Sequence, residues 1–450
     1  MESIKAKALQ RVEAGAASID ITPVDSQFLY GYPHVERYST GVHDPLFSSA
    51  LCLADGKRRV VFIANDVIFV SKAQTKRVRE RIAQTVGIPA DSVMLTATHT
   101  HSGPHAVHYV SNEADPAVPR PDPRYVERLE DGMVEAARQA CGQARPAEVG
   151  LAVADGSCVG TNRRDPSGPS DPAVPVLAVR EAGGGRFIAV MMVCNMHPTV
   201  LHEDSTLVSA DFPGMARRYL QEQVVGRECP VIHHTGPCGD QSPRHVTRGN
   251  TFEEAQRLGE LLGSSVARAL AAMEFRSAAR IDARSMAVDL PPRIFPSPDE
   301  AADRLVRAEA RLRDLRAAGA PRAAVRTAEC DWFGAEETLA LAKAAVEGRL
   351  DVAAAACLPA EAQLITIGPW SFIGWPGEVF VEFSLDVRRK CPDAYVISLA
   401  NGELQGYLVT AQAVAEGGYE ASNAMFRSPE SGWRLVQTSL TLLRSRAVGP

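Results

Sequence analysis

The chain has 450 residues, with 48 lysines and arginines against 54 aspartates and glutamates, for a formal charge of −6. That balance lacks the basic footprint of a DNA- or RNA-binding protein. Its 45% hydrophobic and 23% charged residues are ordinary for a globular chain, long enough for about three domains or for one large α/β body.

The opening stretch, Met1–Asp20, has neither the apolar core nor the small-residue cleavage pattern of a secretory signal. No apolar run approaches the roughly 18 residues that a membrane span needs. The nine cysteines are scattered and form no CxxC pair, which suits a reducing compartment. The expectation is a cytoplasmic protein that binds no nucleic acid and spans no membrane.

Residues 58–70 (RRVVFIANDVIFV) are dense in β-branched and aromatic side chains and predict a buried strand. Residues 71–87 follow with helical spacing, opened by Ser71 and closed by Gly87. DSVMLTAT (91–98) predicts the next strand and delivers the chain to His99. A helix is expected near 122–143 and strands near 147–155 and 174–180. FIAVMMVCNMHP (187–198) predicts another buried strand, which delivers His197. VIHHTGPCGDQSP (231–243) repeats the design of an apolar run followed by a polar, glycine-rich loop. Strands that end in polar loops are where open α/β sheets place their sites.

Residues 298–349 are rich in Ala, Arg, Leu and Glu and are broken by AGAP, which predicts a helical hairpin inserted into a single catalytic domain. A lid, a homo-oligomer contact and a buttress are the roles open to it. Strands are expected at 362–368 and 394–400, and residues 370–390 run from a strand through a turn into a helix.

The densest chemistry lies in LTATHTHSGPH (95–105), which carries His99, His101 and His105. Neutral imidazole is a common metal ligand. Two imidazoles and a carboxylate form a frequent catalytic zinc set with a position left for water. His99, His197 and Glu378, the last where a turn becomes a helix, could supply one. Each also has an ordinary reading: a hydrogen-bonded HxH pair, a core histidine, a glutamate favoured by a helix dipole. Ser242 lies in DQSP rather than a G-x-S-x-G elbow and reads as a turn residue. No GxxxxGK[ST] phosphate loop occurs.

Several dispersed motifs, in order, resemble those of the neutral/alkaline (non-lysosomal) ceramidases, zinc amidases that cleave the N-acyl bond of ceramide. They are GAASIDITP (15–23), GYPHVERYSTGVHDPLFSSAL (31–51), THTHSGP (98–104), TNRRDP (161–166), NMHPT (195–199), CGDQSP (238–243) and PGE (376–378). Tyr407 and Tyr419 stand twelve residues apart, as the family's two active-site tyrosines do. The resemblance implies an α/β catalytic domain of mixed sheets and flanking helices, and Zn(2+) held by His99, His197, Glu378 and Tyr407. It also implies catalytic roles for His43, His101, Arg163 and Tyr419. Zinc lowers the pKa of its bound water toward about 7 and polarises a carbonyl. Tyr419 and His101 would donate to the oxyanion, His43 would protonate the leaving amine, and Arg163 would line the carbonyl or fork onto a substrate carboxylate.

The sequence also departs from the family. It ends at Pro450 without the expected C-terminal β-sandwich, and His105-Ala106-Val107 replace small residues after THTHSGP. The resulting expectation is a zinc-dependent hydrolase that cleaves the C–N bond of a small soluble amide by attack of zinc-bound water. An esterase, lactonase or carbamate hydrolase would use the same site. Ceramide N-deacylation is a further alternative, and a metal-stabilised binding protein without turnover is the non-enzymatic one.

Overall fold

The computed structural model describes residues 11–446. Its main sheet is built from Val12–Asp20 (β1), Phe47–Ala54 (β2), Arg59–Asn65 (β3), Val93–Ala97 (β4), Arg145–Asp155 (β5), Ala173–Glu181 (β6), Phe187–Cys194 (β7) and Val231–Thr235 (β8). The eight strands lie in the order β8-β7-β6-β5-β1-β2-β3-β4.

The sheet is mixed, as the resemblance implied. Only β3–β4 and β7–β8 run parallel. The connections explain the difference. Helix α1 (Lys72–Val86) crosses between β3 and β4, and α3 (Asp211–Leu220) lies between β7 and β8. By contrast, β2 and β3 are joined by a tight turn through Gly56, and β6 and β7 by one through Gly183 and Gly184. Connections that short can only return the chain antiparallel. Ser71 and Gly87 cap α1 as expected, through a capping box at one end and a left-handed residue at the other. Helix α2 (Pro123–Gly142) packs on β1 and β2.

The two edge strands, β4 and β8, meet. Thr96 Oγ1 lies 2.8 Å from His234 Nδ1, and the Thr235 hydroxyl donates to the Thr98 carbonyl at 2.7 Å. A second sheet closes the seam. It comprises Ile281–Val288 (β9), Ala360–Ile367 (β10), Trp370–Gly374 (β11) and Ala394–Ile397 (β12), in that order. The chain leaving β12 lies between the two edges. Ser398 N–H donates to Thr235 of β8 at 2.9 Å, and Asn401 N–H to Leu95 of β4 at 2.7 Å. Ala400 N–H donates to Trp375 at 2.9 Å, which ties in the turn before Glu378. Three distant parts of the chain are thereby held at one end of the rolled sheet.

The block expected as a hairpin consists of α5 (Pro298–Ala317) and α6 (Arg322–Val346), followed by a third helix, α7 (Arg349–Cys357). Ion pairs Arg311–Asp331 (2.7 Å) and Arg316–Glu329 (2.6 Å) join α5 to α6. Helix α6 docks on the body through fully buried Leu341 and Ala344, a leucine of this kind contributing about 2 kcal/mol. Trp332 stacks on His34 at 4.8 Å, and the His34 imidazole pairs with Glu336.

The hydrogen bond to Glu336 raises the His34 pKa against the effect of partial burial, with Asp115 as the other nearby acid. Folded His34 therefore holds its proton more tightly than unfolded His34. Its contribution to docking is complete below the ordinary value of 6.5 and is lost as pH climbs through the raised one. After correction for intrinsic rates, hydrogen exchange within α6 should quicken about threefold across that window, the scale of a partly exposed ion pair. His34→Ala should remove the pH dependence. Protection of α6 that ignores pH in the unaltered protein would contradict this docking.

Candidate metal centre

The turn after β4 places His99 with φ +68, a left-handed conformation that costs a non-glycine residue of order 1–2 kcal/mol. Neighbouring bonds hold it there. His99 N–H donates to Val67 at 3.0 Å and Thr98 N–H to Asn65 at 2.8 Å. The Thr98 hydroxyl meets Asp66, itself paired with buried Arg217 at 2.6 Å. His197 follows β7 and lies beneath the CGDQSP loop, its N–H donating to Gln241 at 3.1 Å. That loop also grips the segment carrying Glu378, through Gly239 N–H to Val379 (3.0 Å) and Val381 N–H to Asp240 (2.9 Å).

His99 Nε2, His197 Nε2 and Glu378 Oε2 form a nearly equilateral triangle with sides of 3.0, 3.0 and 3.2 Å. The other ring nitrogens decide what these atoms are. His99 Nδ1 faces the Ile68 carbonyl at 2.9 Å and His197 Nδ1 the Cys238 carbonyl at 2.6 Å. A carbonyl only accepts, so each Nδ1 carries the proton and each neutral Nε2 presents a lone pair. Burial, then the charge of Arg163, pushes His197 down to about 4. Three buried lone pairs converge on one point, as ligands of a cation do. A tetrahedral ion at about 2.0–2.1 Å separates its ligands by about 3.3 Å, close to the observed sides.

His101 adjoins the triangle, its ring 5.0 Å from that of His99 and 5.8 Å from that of His197. One nitrogen from each of the three histidines lies within 4.8 Å of the others, so His101 could serve as a further ligand. Its Nδ1 faces the Gly31 carbonyl at 3.1 Å, and its Nε2 is buried without a partner. Neutral His101 is therefore an acceptor, not the oxyanion donor expected of it. Gly31 makes room for it, because a Cβ there would stand 2.4 Å from the ring at φ +131.

A two-residue parallel ladder pairs Glu378 with Tyr407, which places Tyr407 beside the triangle. Burial, then the charge of Glu378, raises the Tyr407 pKa and keeps the phenol protonated. Tyr419 packs edge-on against Tyr407 at 5.8 Å, and its oxygen accepts from Asn423 at 3.1 Å, leaving its hydrogen free to donate. Arg163 lies over the Tyr407 ring at 5.6 Å and donates through Nε to Glu420 at 2.9 Å, while its Nη2 is buried and unpartnered. His43 bonds Asp44 at 2.7 Å and stacks on Phe252 at 3.9 Å. Ser242 caps a turn by accepting from Arg244 N–H at 3.3 Å, the role read from its sequence. His105 is buried against Tyr30 at 4.3 Å and belongs to the packing.

Sequence reasoning missed what α6 contributes. Arg326, Cys330, Gly334, Glu337 and Leu341 recur at helical spacing, and that one face mixing charge with apolar residues was the available signal. Gly334 abuts Tyr419, and Glu337 is buried with Oε2 unpartnered. Burial, then the charge of Glu378, pushes the Glu337 carboxyl up to about 8.

His197→Ala should abolish stoichiometric metal binding, measured by elemental analysis of the dialysed protein. Gly31→Ala should keep the metal yet lower thermal stability by about 1–3 kcal/mol, the cost of a strained backbone and a displaced ring. A His197→Ala protein that retains its metal, or an undiminished Gly31→Ala protein, would contradict this geometry.

The profile for the neutral/alkaline non-lysosomal ceramidase N-terminal region matches residues 12–243. Neutral ceramidase 3 of Arabidopsis thaliana is 35% identical over 94 residues, which cover 20% of this chain and 13% of that protein. The neutral ceramidase of Mycobacterium tuberculosis is 26% identical over 259 residues, covering 52% of this chain and 40% of that protein. These matches span less than half the length of either relative. Neutral ceramidase from Pseudomonas aeruginosa superposes with a TM-score of 0.73 at 19% identity, over 98% of this chain and 75% of that one. A ceramidase complexed with C2 gives 0.72 at 17% identity, over 97% and 76%. With the profile extending over more than half its length, the chain belongs to the neutral/alkaline non-lysosomal ceramidase family.

Proposed function

We propose that this chain is a zinc-dependent hydrolase that cleaves the C–N bond of a small, soluble N-acyl compound. The observation that carries the reading is the triangle of His99, His197 and Glu378, whose fixed tautomers present lone pairs to one point. Family membership supports an amide as the bond. His99, His197 and Glu378 would hold the ion, with Tyr407 beside them. Zinc there would supply Lewis acidity and lower the pKa of water.

The surrounding residues have separate tasks. The Tyr419 hydroxyl donates to the substrate carbonyl oxygen as negative charge develops there; one such donor is worth about 3 kcal/mol. His101 Nε2 accepts the proton that the attacking water loses and passes it to the nitrogen as the C–N bond breaks, so that acid and free amine are the products. Proton delivery falls to His101, whose ring adjoins those of His99 and His197, rather than to His43, which is engaged with Asp44 and Phe252. Arg163 offers Nη2 to the substrate.

Enclosure and polarity support a small substrate. His99, His197 and Glu378 are 1%, 0% and 4% exposed. The nearby face of α6 presents Arg326, Cys330 and Glu337 instead of a continuous apolar surface for long alkyl chains. The family match favours ceramide deacylation as the second reading.

The two readings separate in a side-by-side assay of zinc-loaded protein. kcat/KM for a short soluble N-acyl compound should exceed that for ceramide in micelles by tenfold or more, about 1.4 kcal/mol in transition-state binding. A tenfold preference for ceramide would overturn the small-substrate reading. Acyl transfer to Ser242, detected by mass spectrometry, would overturn the water mechanism.

A further inference from the structure

Three arginines from three parts of the chain cluster, Arg163 and Arg326 both lying within electrostatic reach of Arg244. Arg163 follows the two-residue strand Thr161–Asn162, Arg244 follows CGDQSP, and Arg326 lies on α6. Cys330 of α6 sits within the electrostatic reach of all three, a small side chain that burial keeps as a neutral thiol. Tyr32 and His202 continue the wall from His101, with ring separations of 5.3 and 5.5 Å, and His202 adjoins Glu203, the partner of Arg326 at 3.1 Å. Arg163, over the ring of Tyr407, which pairs with Glu378, connects the guanidiniums to the metal-binding side chains.

The ion pairs leave one guanidinium of this cluster without a carboxylate. Glu420 serves both Arg163 and Arg164, at 2.9 and 2.8 Å. Glu416 also meets Arg164, at 3.1 Å. Glu329 serves both Arg326 and Arg316, each at 2.6 Å, and Glu203 completes the set. Four guanidiniums thus share four carboxylates, and the fifth, exposed Arg244, has no ion-pair partner among the described residues. Its polar contacts are a backbone bond to Ser242 and a 3.5 Å approach of Nη1 to the Arg163 carbonyl. Arg244 is exposed at the edge of the cluster, and protein on its inner side, then the charges of Arg163 and Arg326, depress its pKa. Next to it, Arg163 Nη2 is buried without a hydrogen bond of good geometry, the guanidinium interacting with the Tyr407 phenol. An unsatisfied buried donor on a charged group costs about 1–3 kcal/mol or more, which an acceptor from the substrate would remove.

We infer that Arg163, Arg244 and Arg326 form an anion subsite, and that the N-acyl compound carries a carboxylate close to its scissile amide. A single uncompensated charge and a planar donor pair fit a monoanionic, planar carboxylate better than a dianionic phosphate. The inference rests on the amidase reading and narrows its substrate class.

The test compares N-hexanoylglycine with its neutral isostere N-hexanoylglycinamide on the zinc-loaded full chain. The unaltered protein should favour the carboxylate at least tenfold in kcat/KM. Arg244→Gln should bring that ratio close to one, mostly through KM. Arg313→Gln, on an exposed face of α5, should leave the ratio as it was. A ratio within twofold of one in the unaltered protein, or a ratio that survives Arg244→Gln, would overturn the subsite.

If neither compound is hydrolysed, the amidase reading fails for these substrates, and calorimetric binding of N-hexanoylglycine decides the subsite alone. Binding at least tenfold weaker to Arg244→Gln would uphold it. Equal binding, or none to the unaltered protein, would overturn it.

Discussion

Two imidazole lone pairs and a carboxylate oxygen are pressed to within 3.0–3.2 Å of one another in a region from which water is almost excluded. The arrangement is unfavourable unless something positive lies between them, because buried acceptors without donors cost about 1–3 kcal/mol each and more when charged. The backbone carbonyls of Ile68 and Cys238 remove the easy escape, since a neutral ring whose Nδ1 already donates cannot turn its Nε2 into a donor. Much of the surrounding structure follows from holding these atoms together. Cation binding and folding should be coupled in such a site, because the unfolded chain presents no preformed triangle.

The ligating atoms come from residues 99, 197 and 378, so local structure alone cannot unite them. The sheet does it by rolling until β4 meets β8, and the chain after β12 stitches the edges together while tying in the turn before Glu378. The CGDQSP loop then acts as a junction. Its carbonyls fix the tautomer of His197, its Gly239 pairs with the residue after Glu378, and its Asp240 bridges Asn162 and Val381. Burial raises that aspartate to about 6, so its value lies in the hydrogen bonds it accepts as much as in its charge. The CGDQSP motif is thus architectural here.

Elements set by local chemistry were legible in the sequence. Ser71 and Gly87 bound α1 because capping depends on residues a few positions apart, and the β3–α1–β4 crossover follows from the same stretch. His99 and His197 were legible as residues at strand ends. Glu378 and Tyr407 were not legible from spacing, since a ladder between residues 378 and 407 leaves no periodic trace, and only the resemblance to ceramidases connected them. The antiparallel half of the sheet was hidden because a buried strand reads the same whichever way its neighbour runs. Arg244 and Arg326 were passed over for a related reason: an arginine in a loop or on a helix reads as solvated until the opposing wall is known.

The central claim is that one cation occupies the point shared by His99, His197 and Glu378, and anomalous diffraction tests it most directly. Data collected on either side of the zinc absorption edge from zinc-loaded crystals should give a single strong peak per chain, bonded to His99 Nε2, His197 Nε2 and Glu378 Oε2. A peak elsewhere, or no peak with the three side chains still converged and the crystals saturated with zinc, would contradict the account.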